Sequence, residues 1–216
     1  MRALSCILVR EGISDEWFLA PLLRRAIEQL CAEEFDGIVE VLPVLCLNAD
    51  TQRPSTAVEA AAGVRGTFDV LLLHRDGAPR PKSEDVIQRM LETWRRSSAP
   101  EPLVAVVPVR EAEAWALADP DALSRVLAPP SRVMTEIMAS GRGSVEELQD
   151  PKDVLARLIA AALGTYKPNQ HTDFHQDFFD RLAEQIEIAR LRKLPAFARW
   201  WTDMTNALEK LGFRYG

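Results

Sequence analysis

Four short, nearly continuous apolar runs alternate with helix-patterned segments in the first half of this chain. They cover residues 4–9, 38–47, 69–73 and 103–109. Runs of Val, Leu and Ile without polar alternation are what parallel strands look like when both sheet faces are covered. The pattern predicts one mainly parallel sheet with right-handed helical crossovers. Three of the runs also end on acids. CILVR runs into Glu11-Gly12, VLLLH into Asp76-Gly77, and LVAVVPVR into Glu111 and Glu113. Open α/β sheets bind ligands at the carboxyl ends of their strands. Carboxylates gathered there repel one another unless a cation sits among them, so the arrangement predicts a site for a hard metal ion.

The segments between the runs carry helical periodicity. From Ser14 to about residue 34, Trp17, Phe18, Leu22, Leu23, Ile27 and Leu30 form one apolar stripe. Ser14 is placed to cap it, and Asp15 and Glu16 suit the first turn of a helix dipole. Further helices are predicted over 56–64 and 83–96. Pro43 marks an edge or bulge in the second run. After Arg110 no strand run follows. Helices are expected from 111 to 117, after Asp119-Pro120-Asp121, from Pro151, over 174–189 and over 195–211. Phe197, Trp200, Trp201, Met204 and Leu208 face inward on the last. The predicted fold class is therefore α/β: a mainly parallel sheet flanked by helices (residues 1–115), followed by a helical C-terminal half packed on it (116–216).

Composition limits the function classes. The chain has 216 residues, 47% of them hydrophobic, enough for a sizeable core and too many for disorder. Lys plus Arg is 26 against 32 Asp plus Glu, a net charge of −6, which argues against non-specific coating of nucleic acid. A local basic groove remains open, because Arg75, Arg80, Lys82 and Arg89 cluster near Asp76; a solvated helix face explains most such charges. Cys6, Cys31 and Cys46 have no zinc-ligand spacing, and an odd count fits reduced thiols in a cytoplasmic protein. No stretch approaches a signal peptide or the ~20 apolar residues of a membrane span.

Each candidate residue has an ordinary alternative. Glu11-Gly12 joins strand to helix; Glu11 is expected as metal ligand or acid/base, with Gly12 allowing a sharp turn and close approach of a phosphate, against a plain turn with a solvated Glu. His74 and Asp76 point the same way if their strand continues. Asp76 suits Mg²⁺, and His74 suits a ligand or proton carrier, against a simple turn and a structural histidine. Glu111 and Glu113 diverge on a helix, so one of them, Glu113, is expected in the site. Lys152, Arg75 and Tyr166-Lys167 are candidate phosphate contacts, against ordinary surface positions. His171 and His175 have zinc spacing but lack the glutamate of a metalloprotease. No Walker loop, GxSxG elbow or GxGxxG occurs.

Taken together, the residues resemble the Toprim fold group, in which one strand ends in Glu-Gly and a later one in Asp-x-Asp. Glu11 matches the first element and Asp76 the second Asp, while His74 stands where the first Asp would be. The chain more closely resembles a bacterial Toprim-like family of unknown function often found beside ATPases. That likeness runs through EGISDEWFLAPLL, HRDG, VPVREAEAWALAD, DPK, YK and LPAFARWW, nearly the whole chain. The resemblance implies acidic site positions at Glu11, Asp76 and Glu113, with Asp119 a further one, Mg²⁺ or Mn²⁺ as cofactor, and phosphodiester chemistry on nucleic acid, in a defence context. It also implies a second function class: a non-catalytic Toprim-shaped module that docks on an ATPase, for which an exposed Trp200-Trp201 patch would be the sign. Phosphoaspartyl hydrolysis is disfavoured, since position 74 holds a His rather than a nucleophilic Asp.

Overall fold

The computed structural model describes residues 2–50, 53–77, 80–97, 99–140, 144–164 and 172–214. The central sheet has four parallel strands in the order β4-β2-β5-β6, formed by β2 (Cys6–Arg10), β4 (Leu45–Asn48), β5 (Val70–His74) and β6 (Leu103–Val106). A two-stranded parallel pair, β1 (Arg2–Leu4) with β3 (Val39–Val41), continues the first two runs upstream. The fold is α/β with parallel sheets between helices and a helical second half, as the runs predict.

The first two runs, expected as single strands, are each broken, for a local reason. Ser5 leaves the ladder because its N–H and Oγ both donate to Asp69 Oδ2, at 2.8 Å each. Opposite it, Pro43 has no N–H to give. Leu4 pairs with Val41 and Ile7 with Leu45, so the second run carries one extra residue across the gap, a bulge at Leu42, Pro43 and Val44. The last run also ends early. Its residues 107–109 leave the sheet, with Pro108 unable to donate.

Side chains alternate across the sheet. Leu4, Cys6, Leu8, Val70, Leu72, Val104 and Val106 face the larger core. This is covered by α2 (Leu19–Glu34), α9 (Thr172–Gln185) and α11 (Pro195–Lys210). Ile7, Val9, Leu71 and Leu73 face a smaller one under α3 (Pro54–Ala62) and α4 (Arg80–Arg96). Residues on both sides of position 115 share the larger core: Trp115 is fully buried against Phe197, with ring centroids 5.0 Å apart. Trp200 and Trp201 are buried too, so they form no exposed patch. The cysteines are free, and burial pushes the Cys6 thiol up to about 12, leaving no thiolate at neutral pH. Among the described residues no helix is long and apolar enough to cross a membrane.

Candidate metal centre at the strand ends

Three loops meet at the carboxyl edge of the sheet. β2 leads through Glu11 and Gly12 into α1 (Ile13–Trp17); β5 leads through Arg75, Asp76 and Gly77 towards α4; β6 leads through 107–112 into α5 (Glu113–Ala116). Because β2 and β5 are direct neighbours with Val9 opposite Leu73, Glu11 and the 74–76 segment leave the sheet side by side. One ligand atom each from Glu11, His74 and Asp76 lie within 4.8 Å of one another. Glu11 is exposed, Asp76 half-buried and His74 buried. Glu11 Oε2 also accepts the Asp76 N–H at 3.1 Å.

His74 is fixed at both ends. Nδ1 lies 3.0 Å from the backbone oxygen of Val106, which can only accept, so Nδ1 carries a proton and Nε2 faces the carboxylates. Nε2 stands 3.5 Å from Asp15 Oδ1 and 3.6 Å from Asp76 Oδ1. Burial pulls the imidazole pKa down, but the Asp76 contact and the charges of Asp15 and Asp76 outweigh it and push it up to about 9. Without a cation, the ring is therefore an imidazolium at neutral pH.

Asp15 is the site residue that sequence reasoning missed. It is expected there only as a first-turn acid, yet it is 4% exposed. Its Oδ2 accepts the N–H groups of Glu11 at 2.9 Å and Gly12 at 2.8 Å. The helix cap is Gly12, not Ser14, and Asp15 stands at the third helical position, the capping-box spacing. That spacing was the available signal. The chain bends at Glu11 and Gly12, but Gly12 itself is extended, with φ −135° and ψ 170°, a conformation that does not require glycine. Gly77 is the position that needs glycine. A Cβ there would lie 2.3 Å from Pro108 O and 2.5 Å from Val109 O.

Glu113 is not one of the three converging groups, but it stands beside them. Its side chain is 13% exposed, and Lys152 Nζ is 4.0 Å from Oε1. Burial above all raises its pKa, with Glu111 and Asp76 adding repulsion and Lys152 opposing. Glu111 is outside the converging trio as well: its Oε2 accepts the backbone N–H of Lys152 at 3.3 Å at the start of α8 (Pro151–Leu163). Lys152 itself is exposed, whereas Arg75 is 4% exposed and turned away from solvent. Asp119 lies elsewhere: it caps α6 (Pro120–Leu127), is fully buried, and pairs with Arg190 at 3.3 Å. His175 stacks near Phe179, at 6.3 Å between centroids. Tyr166, Lys167, His171 and the side chains of Arg80 and Lys82 fall outside the described residues.

The family model described as Domain of unknown function (DUF4276) matches residues 10–205, and the chain belongs to that family. No curated protein and no solved structure matches it.

Proposed function

We propose that this member of the DUF4276 family is a divalent-metal-dependent phosphodiesterase of Toprim type acting on nucleic acid, with Glu11, His74 and Asp76 as the metal-holding set. The observation that carries the reading is the convergence of those three side chains from two adjacent strand ends. The donor set fits a divalent ion. It offers two carboxylates and an imidazole nitrogen whose partner nitrogen is already tied to a carbonyl, as is usual for a ligating His. One imidazole among oxygens favours Mn²⁺ over Mg²⁺. A bound divalent ion would lower the pKa of water and neutralise charge on a phosphodiester.

The chain's own groups supply the rest. Glu11 is the exposed carboxylate of the set and is suited to take a proton from an attacking water. Glu113, raised by burial, is the neighbouring acid best able to hold a proton for a leaving oxygen. Lys152 is exposed beside it and offers a cation to phosphate. Purified protein incubated with single- and double-stranded DNA and RNA, with Mg²⁺ or Mn²⁺, tests this. Cleavage abolished in Glu11→Gln supports it, and cleavage surviving that change removes Glu11 from the chemistry.

A second reading has one specific observation in its favour. The imidazolium of His74 offsets part of the charge of Asp15 and Asp76 without any metal, so the cluster depends less on a bound cation. A non-catalytic module docking on an ATPase fits that, though the buried Trp200 and Trp201 offer no aromatic docking patch. Absence of cleavage with either metal, alone and with a neighbouring ATPase, would favour it.

A further inference from the structure

We propose that Asp15 is the positioning residue of this site: it sets the spacing between Glu11 and His74 and acts through them rather than as a ligand. The inference deepens the metal reading above and rests on it.

A carboxylate as buried as Asp15 is costly unless its oxygens are compensated. Here, among the described residues, that compensation comes from the site itself. Oδ2 takes the two N–H groups of Glu11 and Gly12. Oδ1 faces His74 Nε2. Capping α1 would need only the first of these contacts, and a capping acid at a helix start is normally solvated. The second contact reaches across to the end of a different strand.

The need for such a clamp follows from the sheet. Arg10, paired with Asn48, is the last residue of β2 on the ladder, and Glu11 lies one step beyond. At that step Asp15 gives the backbone of Glu11 and Gly12 two charge-assisted hydrogen bonds, the stronger class. The four side chains then close a ring. Asp15 holds the Glu11 backbone, Glu11 Oε2 holds the Asp76 N–H, Asp76 Oδ1 meets His74 Nε2, and the same nitrogen meets Asp15 Oδ1. Asp15 is not among the three side chains whose ligand atoms converge. It orients that set from beneath.

The test compares Asp15→Asn with Asp15→Ala in the full chain. Asn keeps a neutral oxygen that can accept the Glu11 and Gly12 N–H groups, whereas Ala removes every acceptor. Two readouts are taken: amide hydrogen exchange at Glu11 and Gly12 by NMR without metal, and Mn²⁺ affinity by titration calorimetry. Wild type and Asp15→Asn should protect both amides at least about tenfold better than Asp15→Ala. Mn²⁺ affinity should fall about 10–100-fold in Ala, the range for lost outer-shell partners, and no more than about fivefold in Asn. An Asn variant that loses Mn²⁺ as fully as Ala would overturn the proposal, because charge or direct ligation would then be the role. So would unprotected Glu11 and Gly12 amides in wild type. If Ala does not fold, Asn alone decides by the same two limits. If wild type binds no Mn²⁺, the metal reading falls, and the exchange comparison still judges the clamp: equal exchange in all three proteins overturns it.

Discussion

The Nδ1 of His74 lies 3.0 Å from the backbone oxygen of Val106 on the neighbouring strand, so Nε2 is turned towards Asp15 and Asp76. One strand thereby fixes the tautomer of a residue on the next. The same nitrogen is offered to a proton or to a cation, and never to both.

That competition has a sign. His74 is raised from 6.5 to about 9 in the folded chain. A raised pKa contributes stability that is complete below 6.5 and is lost as pH climbs through 9. Metal-free protein should therefore weaken across that window, by at most about 3 kcal/mol at 1.36 kcal/mol per unit. Urea midpoints at several pH values, for wild type and His74→Gln, measure this. Parallel slopes for the two proteins would contradict it. Mn²⁺ binding should release a proton below pH 9, so its affinity should rise with pH.

Replacing the ring by an acid should trade stability for affinity. His74→Asp puts a fourth carboxylate among Glu11, Asp15 and Asp76 and removes their compensating cation. Mg²⁺ affinity should rise by about tenfold or more, while the metal-free melting temperature falls and recovers on adding Mg²⁺. Thermal melts with and without the ion check both halves. An unchanged melting temperature and unchanged Mg²⁺ affinity would remove His74 from the site.

Gly77 and Gly12 should respond oppositely to alanine. At Gly77 the new carbon meets two backbone oxygens, which cannot swing aside, at 2.3 and 2.5 Å. Gly77→Ala should cost about 1–3 kcal/mol, as overpacking does, and weaken Mn²⁺ binding by displacing Asp76. At Gly12 the nearest atom is Ser14 Oγ at 3.7 Å, so Gly12→Ala should stay within about 0.5 kcal/mol of wild type. Chemical denaturation of the two variants decides the contrast.

Nuclease activity should be weak, higher with Mn²⁺ than with Mg²⁺, and lost in Glu11→Gln. Glu113→Gln should slow it without abolishing Mn²⁺ binding, since Glu113 is outside the converging trio. Rates on single- and double-stranded DNA and RNA give the first result, and calorimetry the second. Loss of Mn²⁺ binding in Glu113→Gln would place that residue among the ligands.

The sheet was legible because its runs are apolar on both faces, and a parallel sheet covered by helices needs that pattern. The acidic edge was legible for the same reason, since strand ends fix where the chain emerges. Pro43 announced the bulge in the second run, whereas the break in the first could not be read. Ser5 breaks its strand through Asp69, 64 residues away, a partner that local patterning does not reveal. Asp15 was hidden by its position, because an acid in a first helical turn is already explained by the dipole. Its burial depends on β5 lying next to β2. Asp119 misled in the opposite direction: it looked like a site acid and serves as a buried helix cap.

The convergence of Glu11, His74 and Asp76 on one cation is tested most directly by titrating Mn²⁺ and Mg²⁺ into wild type and Asp76→Ala. One saturable site is expected in wild type, tighter for Mn²⁺, and weakened at least about tenfold in Asp76→Ala. Equal binding by the two proteins, or no binding by wild type at pH 8, would contradict it.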